Sequence, residues 1–168
     1  MNPLILEVEA LPTPIGEILI AACEGELRAV EWKDCEARMR RWLRGATFVP
    51  GRTRSAPHAA LARYFAGDVA AIDALAVHPE GTAFQHSVWR ALRAIPAGET
   101  ATYGALARRL GRAGAARAVG AANGRNPLAV VVPCHRLVGA KGALTGYAGG
   151  LARKRWLLDH ERRALPRK

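Results

Sequence analysis

The chain has 168 residues, half of them hydrophobic, and a formal net charge of +11. This length suits one compact unit or two small domains, and the composition excludes wholesale disorder. No apolar run approaches the ~18 residues of a membrane span, and no basic N-terminal segment precedes an apolar stretch, so we expect no membrane partner, no secretory signal and a cytoplasmic protein.

The charge is divided unevenly along the chain. Residues 1–80 contain 9 Lys or Arg and 11 Asp or Glu, a charge of −2, whereas residues 81–168 contain 16 and 3, a charge of +13. A basic second half is typical of contact with a polyanion such as nucleic acid, although an arginine-rich solvated surface explains the same numbers. The 3 cysteines are too few for a disulfide framework, and no C-x-x-C motif indicates a zinc site.

Residues 1–78 have the pattern of a small α/β domain. The predicted strands and helices, in chain order, are Leu4–Val8, Ile18–Ala22, Leu27–Trp32, then Cys35–Leu43 and His58–Phe65. Glu24-Gly25 favours a hairpin turn between the second and third strands, so we expect a short antiparallel sheet with helices. The segment holds no catalytic constellation, and we interpret Cys23 and Cys35 as packed thiols.

Residues 79–168 predict a mostly α-helical domain, with the boundary at the break His78–Gly81. Thr82 and Gln85 have the spacing of a capping box. Apolar residues then recur at helical spacing up to Pro96, which ends the predicted helix.

Two shorter helices follow, at Tyr103–Leu110 and Ala115–Asn123, across the turn Gly111–Gly114. Thr102 is a plausible N-cap of the first. The pair predicts a helix-turn-helix, although many such hairpins bind no nucleic acid. The second helix consists mostly of small residues, and Arg117 is its only long polar side chain before the terminal Asn, so its backbone can approach another surface closely. Tight packing against a neighbouring helix is the alternative.

Cys134 follows the apolar run Leu128–Val132, which predicts a buried strand, and precedes His135 and Arg136. A base or cation beside a thiol favours the nucleophilic thiolate. Contact between Cys134 and His135 requires a local bend, because adjacent side chains of an extended strand point to opposite faces. From these residues alone, an inert buried cysteine is the alternative.

A glycine-rich loop, Gly139–Gly150, comes next, followed by a predicted helix Leu151–His160 that ends in Glu161. With these segments the sequence resembles the O6-alkylguanine-DNA alkyltransferases, in particular their short bacterial type. The motifs that carry the resemblance are Tyr103–Ala107, Arg117–Asn123, Asn126-Pro127, Val131–Leu137, Thr145–Leu151 and Trp156–Glu161. The resemblance is dense from about Phe84 to the end of the last motif and thin in the first domain, where Thr13–Gly16 is the clearest match.

The resemblance implies suicidal repair of O6-alkylguanine, in which the alkyl group of a flipped base moves to Cys134. O4-methylthymine is an expected lesser substrate. By the same resemblance, His135 deprotonates the cysteine through a water and Glu161 orients that histidine. Asn126 braces the active-site turn, and Tyr103 protonates guanine as it leaves.

The resemblance also implies a double-stranded DNA partner, bound through the minor groove, with Arg117 filling the place of the flipped base. The other residues expected at the substrate or DNA are Tyr103, Ala118, Gly120, Asn123, Arg136, Tyr147, Ala148 and Gly149. Tyr147 and the glycines after it match the loop that closes over guanine. Ala148 stands where some members carry a hydroxyl residue, so one hydrogen bond to the substrate is expected to be missing.

We expect no metal and no cofactor, because the Cys and His residues of the first domain form no recognisable ligand pattern. A monomer is expected, with cooperative binding along DNA left open. One alternative is an alkyltransferase-like protein that binds lesions without transfer; such proteins replace the acceptor cysteine, commonly with Trp, whereas Cys134 is present here. A cysteine hydrolase is a third class, and it would need an oxyanion site for which no separate motif is present.

Overall fold

The computed structural model describes residues 3–52 and 54–166. Within these ranges the chain forms two compact units. The first contains the chain up to Glu80 together with Pro127–Val131, and the second contains Gly81–Asn126 and the chain from Val132 onward. The predicted boundary, between residues 78 and 79, lies two residues before this division, and it did not include Pro127–Val131 in the first part. That the two parts act as a supporting domain and a DNA-binding domain stays a prediction.

The first unit is built on a four-stranded mixed sheet. Its strands are β1 (Ile5–Leu11), β2 (Ile18–Cys23), β3 (Glu26–Trp32) and β4 (Thr47–Pro50), in the order β3-β2-β1-β4. β2 pairs antiparallel with both β1 and β3, whereas β4 pairs parallel with β1. The small α/β domain is confirmed, and the sheet is mixed rather than wholly antiparallel. The sequence analysis did not include β4, because a four-residue run ending in proline has too little alternation to predict a strand.

Two helices complete the first unit, α1 (Glu36–Trp42) and α2 (Ala56–Phe65), close to their predicted ranges. One face of the sheet packs with α1 in an apolar cluster of buried residues, namely Leu6, Leu19, Ala21, Ala29, Met39 and Leu43. Cys23 is partly buried against this cluster, which agrees with its interpretation as a packed thiol. Cys35 is also partly buried.

The second unit is mostly helical. Its helices are α3 (Ala83–Arg93), α4 (Tyr103–Arg109), α5 (Ala116–Gly124) and α6 (Leu151–Ala164), and two short parallel strands are β5 (Ala101–Thr102) and β6 (Leu137–Val138). The four predicted helices are confirmed, and α4 and α5 form the predicted helical hairpin. Glu161 lies inside α6 rather than at its end. No helix among the described residues is long and apolar enough to cross a membrane; the cytoplasmic location stays a prediction.

Side-chain caps fix where two of these helices begin. Thr82 Oγ1 accepts a hydrogen bond from the Gln85 amide at 3.2 Å, and Gln85 Oε1 accepts one from the Thr82 amide at 2.8 Å. This is the predicted capping box. Thr102 Oγ1 accepts from the Ala105 amide at 3.1 Å and caps α4 in the same way. These local bonds explain why the helix starts could be read from the sequence.

The run Leu128–Val132 is not a strand, so that prediction is wrong. Leu128 forms one isolated bridge with Val30 of β3. The chain then turns sharply, because the Val131 amide donates to the Ala129 carbonyl at 2.8 Å around Val130, which is fully buried and has φ +70°. This is a γ-turn with positive φ, a strained conformation for a β-branched residue. Continuous apolar character reports burial and cannot separate a buried strand from a buried turn.

Glycine at position 130 tests this strain. We expect Val130→Gly to unfold with a free energy about 1 kcal/mol larger than Val130→Ala, because glycine adopts positive φ without the Cβ clash. Urea denaturation measures both variants. Val132 is the matched control, since it is equally buried and has no positive φ. There the glycine variant should be the less stable one by about 0.5–1 kcal/mol. The same order at both positions would rule out the strained turn.

Candidate active site

Cys134 lies in a single 3₁₀ turn, Cys134–Arg136, and not at the end of a strand. Pro133, with φ −79° and ψ 66°, bends the chain immediately before it, and the Cys134 amide donates to the Val132 carbonyl at 2.7 Å. The cysteine is 8% exposed. Successive side chains of a 3₁₀ turn are about 120° apart, so Cys134 and His135 do not point to opposite faces as they would on an extended strand.

Asn126 restrains the chain just before the cysteine. Its Nδ2 donates to the Val132 carbonyl at 2.8 Å, and this is the same carbonyl that accepts the Cys134 amide. The side chain of Asn126 is buried. The bond therefore joins the two ends of Pro127–Val131, the segment that belongs to the first unit. This geometry fits the bracing role that the sequence resemblance implies for Asn126.

A buried carboxylate lies at the centre of the site. Glu161 Oε1 is 2.7 Å from His135 Nε2 and accepts from Arg136 Nη2 at 2.8 Å. Its Oε2 accepts from Arg136 Nε at 3.0 Å and from the Gly98 amide at 3.2 Å. The remaining Nη1 of Arg136 donates to the Ile95 carbonyl at 2.6 Å. One carboxylate thus joins α6, the Cys134 turn and the segment that follows α3.

The electrostatics of this cluster set the protonation of His135. Burial alone would raise the pKa of Glu161, but its pairs with His135 and Arg136 hold that pKa well below its usual 4.5. Burial, together with the charges of Arg136 and Lys154, lowers the pKa of His135 against the opposing effect of Glu161, so the imidazole is neutral at pH 7. A neutral histidine that donates from Nε2 to Glu161 carries a lone pair on Nδ1. That atom is buried and has no hydrogen-bond partner among the described residues.

Tyr103 lies between α5 and the glycine-rich loop. Its Oη donates to the Thr145 carbonyl at 3.5 Å, which is a long hydrogen bond. A Cβ at Gly120 of α5 would lie 3.6 Å from the tyrosine ring, and a Cβ at Gly146 would lie 3.6 Å from its Oη. The ring therefore occupies a place where both neighbours lack a side chain, and its hydroxyl reaches the loop.

Lys154 of α6 is a site residue that the sequence analysis missed. It is fully buried, and its Nζ donates to the carbonyls of Leu137 at 2.5 Å and Thr145 at 2.7 Å, with Gly146 at 3.5 Å. Burial lowers the pKa of Lys154, and the charge of Cys134 raises it, so the ammonium lies within electrostatic reach of the cysteine.

The signal for Lys154 is its spacing on the helix. Lys154, Leu157, Leu158 and Glu161 are the buried residues of α6, and they recur at i, i+3, i+4 and i+7. This is the core-facing stripe of a helix, so the two charged members stand where apolar residues are expected. Arg136 was expected at the DNA; its side chain is buried and its nitrogens bind Glu161 and a backbone carbonyl. We therefore assign Arg136 to the support of Glu161.

The remaining predicted residues do not join this cluster. Arg117 and Ala118 are exposed on α5. Asn123 of α5 is 6% exposed, and its Oδ1 has no hydrogen-bond partner among the described residues. The predicted loop residues are partly buried or exposed, namely Tyr147, Ala148 and Gly149. The structure thus brings Asn126, His135 and Glu161 together at the cysteine turn and the backbone before it, and it leaves Arg117 on the surface.

The helical hairpin and the buried cysteine turn together define a DNA-binding type of domain that carries a cysteine-centred site. Residues 83–163 match the family described as 6-O-methylguanine DNA methyltransferase, DNA binding domain. A methylated-DNA–protein-cysteine methyltransferase of Salmonella typhimurium is 50% identical over 160 residues, which cover 91% of this chain and 94% of the relative. This chain belongs to the methylated-DNA–protein-cysteine methyltransferase family.

Solved structures agree with this assignment. The crystal structure of the Mycobacterium tuberculosis O6-methylguanine methyltransferase superposes with a TM-score of 0.80 at 39% identity, over 97% of this chain and 96% of that one. The structure of M. tuberculosis OGT in complex with DNA has a TM-score of 0.80 at 40% identity, with the same coverage. The likeness spans both units, so the thin sequence resemblance of the first domain conceals a shared fold.

Replacing Glu161 with Gln tests how much the buried pair contributes to stability. A buried cation left without its partner costs about 3–5 kcal/mol, so we expect the free energy of unfolding at pH 7 to fall by about 3 kcal/mol in urea denaturation. Because the pKa of Glu161 is lowered from 4.5 in the folded state, the wild-type protein should lose stability as the pH falls below this value. The variant should lack this part of the pH dependence.

Asp159→Asn on the same helix is the matched control. Its side chain is 50% exposed and lies 3.8 Å from Arg162. A surface pair of this kind contributes about 0–1 kcal/mol, so the control should stay close to the wild-type stability at every pH. An equal decrease in the free energy of unfolding in the two variants would contradict a larger contribution from the buried carboxylate.

Proposed function

We propose that this protein repairs O6-alkylguanine in DNA by moving the alkyl group onto Cys134, in a single turnover and without a cofactor. The observation that carries the proposal is the Nδ1 of His135. This atom is buried and unpartnered among the described residues, while Glu161 holds the other ring nitrogen at 2.7 Å. A histidine fixed in this tautomer, next to a cysteine in the same turn, is arranged as a general base for the thiol.

The proposed step balances as follows. His135 takes the thiol proton through a bridging water, and the ionised Glu161 stabilises the imidazolium that forms. The Cys134 sulfur then attacks the alkyl carbon, a C–S bond forms, and the bond from that carbon to O6 breaks. The electron pair stays on guanine, which Tyr103 protonates as it leaves. The proton that the thiol lost replaces the one that Tyr103 gave to guanine. The net products are therefore guanine and an alkylated cysteine.

A thiolate suits this chemistry because displacement at a saturated carbon needs a strong nucleophile of low basicity. The product is a thioether, which thiol reductants do not cleave. The protein should therefore act once per molecule, and O4-methylthymine is a lesser substrate in the same proposal.

The partner we propose is double-stranded DNA. The net charge of +13 on residues 81–168 favours a polyanion, and α5 offers an exposed face of Arg117 with small residues such as Ala118 and Ala121. We place this face in the minor groove, where sequence readout is degenerate; this suits a protein that must find damage in any sequence. The lesion must leave the helix to reach a cysteine that is only 8% exposed.

The number of alkyl groups transferred tests the reaction itself. Limiting protein is incubated with an excess of DNA that contains labelled O6-methylguanine. We expect about one methyl group per protein molecule, bound at Cys134 in peptide mass spectrometry, because a thioether is not reversed. Cys134→Ser should abolish transfer and keep DNA binding, since the alcohol is a much weaker nucleophile.

Cys23→Ser is the control for this experiment. Cys23→Ser removes a partly buried thiol of the first unit and should transfer at the wild-type rate. Repeated turnover would sink the single-use mechanism. Binding of the lesion without any transfer would instead identify an alkyltransferase-like lesion-binding protein, and release of alcohol by hydrolysis would identify a cysteine hydrolase.

The role of Arg117 is tested by comparing two substrates. If its guanidinium occupies the place of the flipped base, Arg117→Ala should slow transfer from duplex DNA far more than transfer from the free base O6-benzylguanine, which needs no flipping. Flipping costs a few kcal/mol, so loss of even part of this compensation should slow the duplex reaction by about 10-fold or more. Single-turnover rates on both substrates give the ratio.

Arg125→Ala is the matched control, because Arg125 is also exposed and follows the last residue of α5. Loss of one phosphate contact should weaken binding to all DNA and lower the salt slope by about one unit. It should leave the ratio of duplex to free-base rates unchanged. If Arg117→Ala behaves in the same way as this control, Arg117 binds phosphate and does not fill the stack.

A further inference from the structure

Lys154 carries a buried charge that the proposed transfer step does not use. Its side chain is fully buried on α6, among the residues that pack into the second unit. Its hydrogen-bond acceptors among the described residues are all backbone carbonyls, and no carboxylate pairs with it there. Burying an ammonium without a carboxylate is unfavourable for stability. An apolar side chain would serve packing better at this position, so Lys154 indicates a role beyond packing.

The carbonyls around Lys154 come from two separate segments. Leu137 is the first residue of β6 and directly follows the Cys134 turn, whereas Thr145 and Gly146 belong to the glycine-rich loop. An ammonium has three N–H donors, and three carbonyl oxygens lie within 3.5 Å of this one. One side chain therefore holds the loop to the strand that leaves the cysteine.

Residues Gly139–Gly146 of the loop form the part that Lys154 holds. Most of Gly139–Gly150 is exposed, and its backbone bonds include short internal ones such as Gly139 N to the Ala143 carbonyl at 2.8 Å. Such a segment samples many conformations unless it is tied down. The bonds to Lys154 are strong because the donor is charged, and the bond to Leu137 is buried while those to Thr145 and Gly146 are partly buried.

The Thr145 carbonyl accepts from two donors at once. Lys154 Nζ lies 2.7 Å from it, and Tyr103 Oη lies 3.5 Å from it. A tyrosine that protonates the leaving base must turn its hydroxyl away from this carbonyl. The carbonyl then still keeps the shorter bond to Lys154, so the loop need not open when Tyr103 changes partner.

We propose that Lys154 is a positioning residue for alkyl transfer: its ammonium fixes Thr145 and Gly146 to the strand after Cys134, which lets Tyr103 exchange the Thr145 carbonyl for the substrate while the loop stays in place. This inference rests on the proposed function, since it assigns Lys154 to the same reaction. It places the link between cysteine and loop on α6, the helix that also carries Glu161.

Lys154→Met tests the inference, because methionine keeps a long unbranched side chain in the core and removes the three donors. Single-turnover transfer is measured at saturating DNA, and the affinity for undamaged DNA is measured separately. We expect the transfer rate at saturation to fall by about 100-fold, the effect of a small misplacement of reacting groups, with DNA affinity within about 2-fold of wild type. A variant that was merely less stable would lose folded protein without lowering the rate of the folded fraction.

Limited trypsin digestion gives a second measurement that does not depend on activity. Lys141 lies exposed in the loop, and cleavage after it reports how often the loop opens. Lys154→Met should be cleaved there several-fold faster than wild type, with unchanged cleavage elsewhere. Lys141→Met identifies the cleavage site, because the band produced by cleavage after residue 141 should vanish. This variant should also transfer at the wild-type rate, because the lysine that it removes is exposed.

The outcomes separate this inference from the proposed function. If the wild-type protein transfers no alkyl group, the proposed function fails. If the wild-type protein transfers and Lys154→Met transfers equally fast with the same cleavage after Lys141, the inference alone is overturned. Lys154→Met could be too unstable to saturate with DNA, in which case cleavage after Lys141 is compared at a temperature where the variant is folded. Unchanged cleavage then also overturns the inference, and faster cleavage supports it.

Discussion

The site depends on the buried ion pair between Glu161 and Arg136. Arginine stays charged at any pH that the protein encounters, so the carboxylate stays ionised whether or not His135 carries a proton. An ionised Glu161 at 2.7 Å requires His135 to donate from Nε2, and the lone pair of the neutral ring is then on Nδ1. One permanent charge thereby fixes the tautomer of the residue beside Cys134, and the Gly98 amide on Oε2 fixes the carboxylate.

The cysteine is held by backbone geometry rather than by side-chain packing alone. The strained turn at Val130 and the bend at Pro133 lie on either side of Val132, whose carbonyl accepts from both Asn126 and the Cys134 amide. Strain of this kind persists only where surrounding bonds determine the backbone. The tightly bonded cysteine segment contrasts with the glycine-rich loop, most of which is exposed.

Local signals account for what the sequence predicted well. Caps such as Thr82 and Thr102 and the helical spacing of apolar residues depend on near neighbours, so the helices and the hairpin were predictable. β4 was not, because its pairing with β1 is long-range. The turn at Val130 was not predicted, because it lies within an apolar run that has the same composition as a buried strand. Arg136 was predicted to contact DNA, because the sequence beside Cys134 does not distinguish a surface arginine from a buried one. The roles expected of the site residues were implied by the family resemblance. The buried ion pair of Arg136 with Glu161 is visible only in the structure.

The second unit buries several ionisable side chains. His135, Arg136, Lys154 and Glu161 are each 3% exposed or less, and replacing buried ion pairs with apolar residues is often neutral or stabilising. Stability therefore gives little reason to keep them. Polar side chains form directional bonds, which apolar side chains cannot. Each hydrogen bond here joins particular atoms of different segments, at 2.5–3.5 Å. The single transfer that we propose gains nothing from turnover and depends on the geometry of that one encounter, which is what such bonds fix.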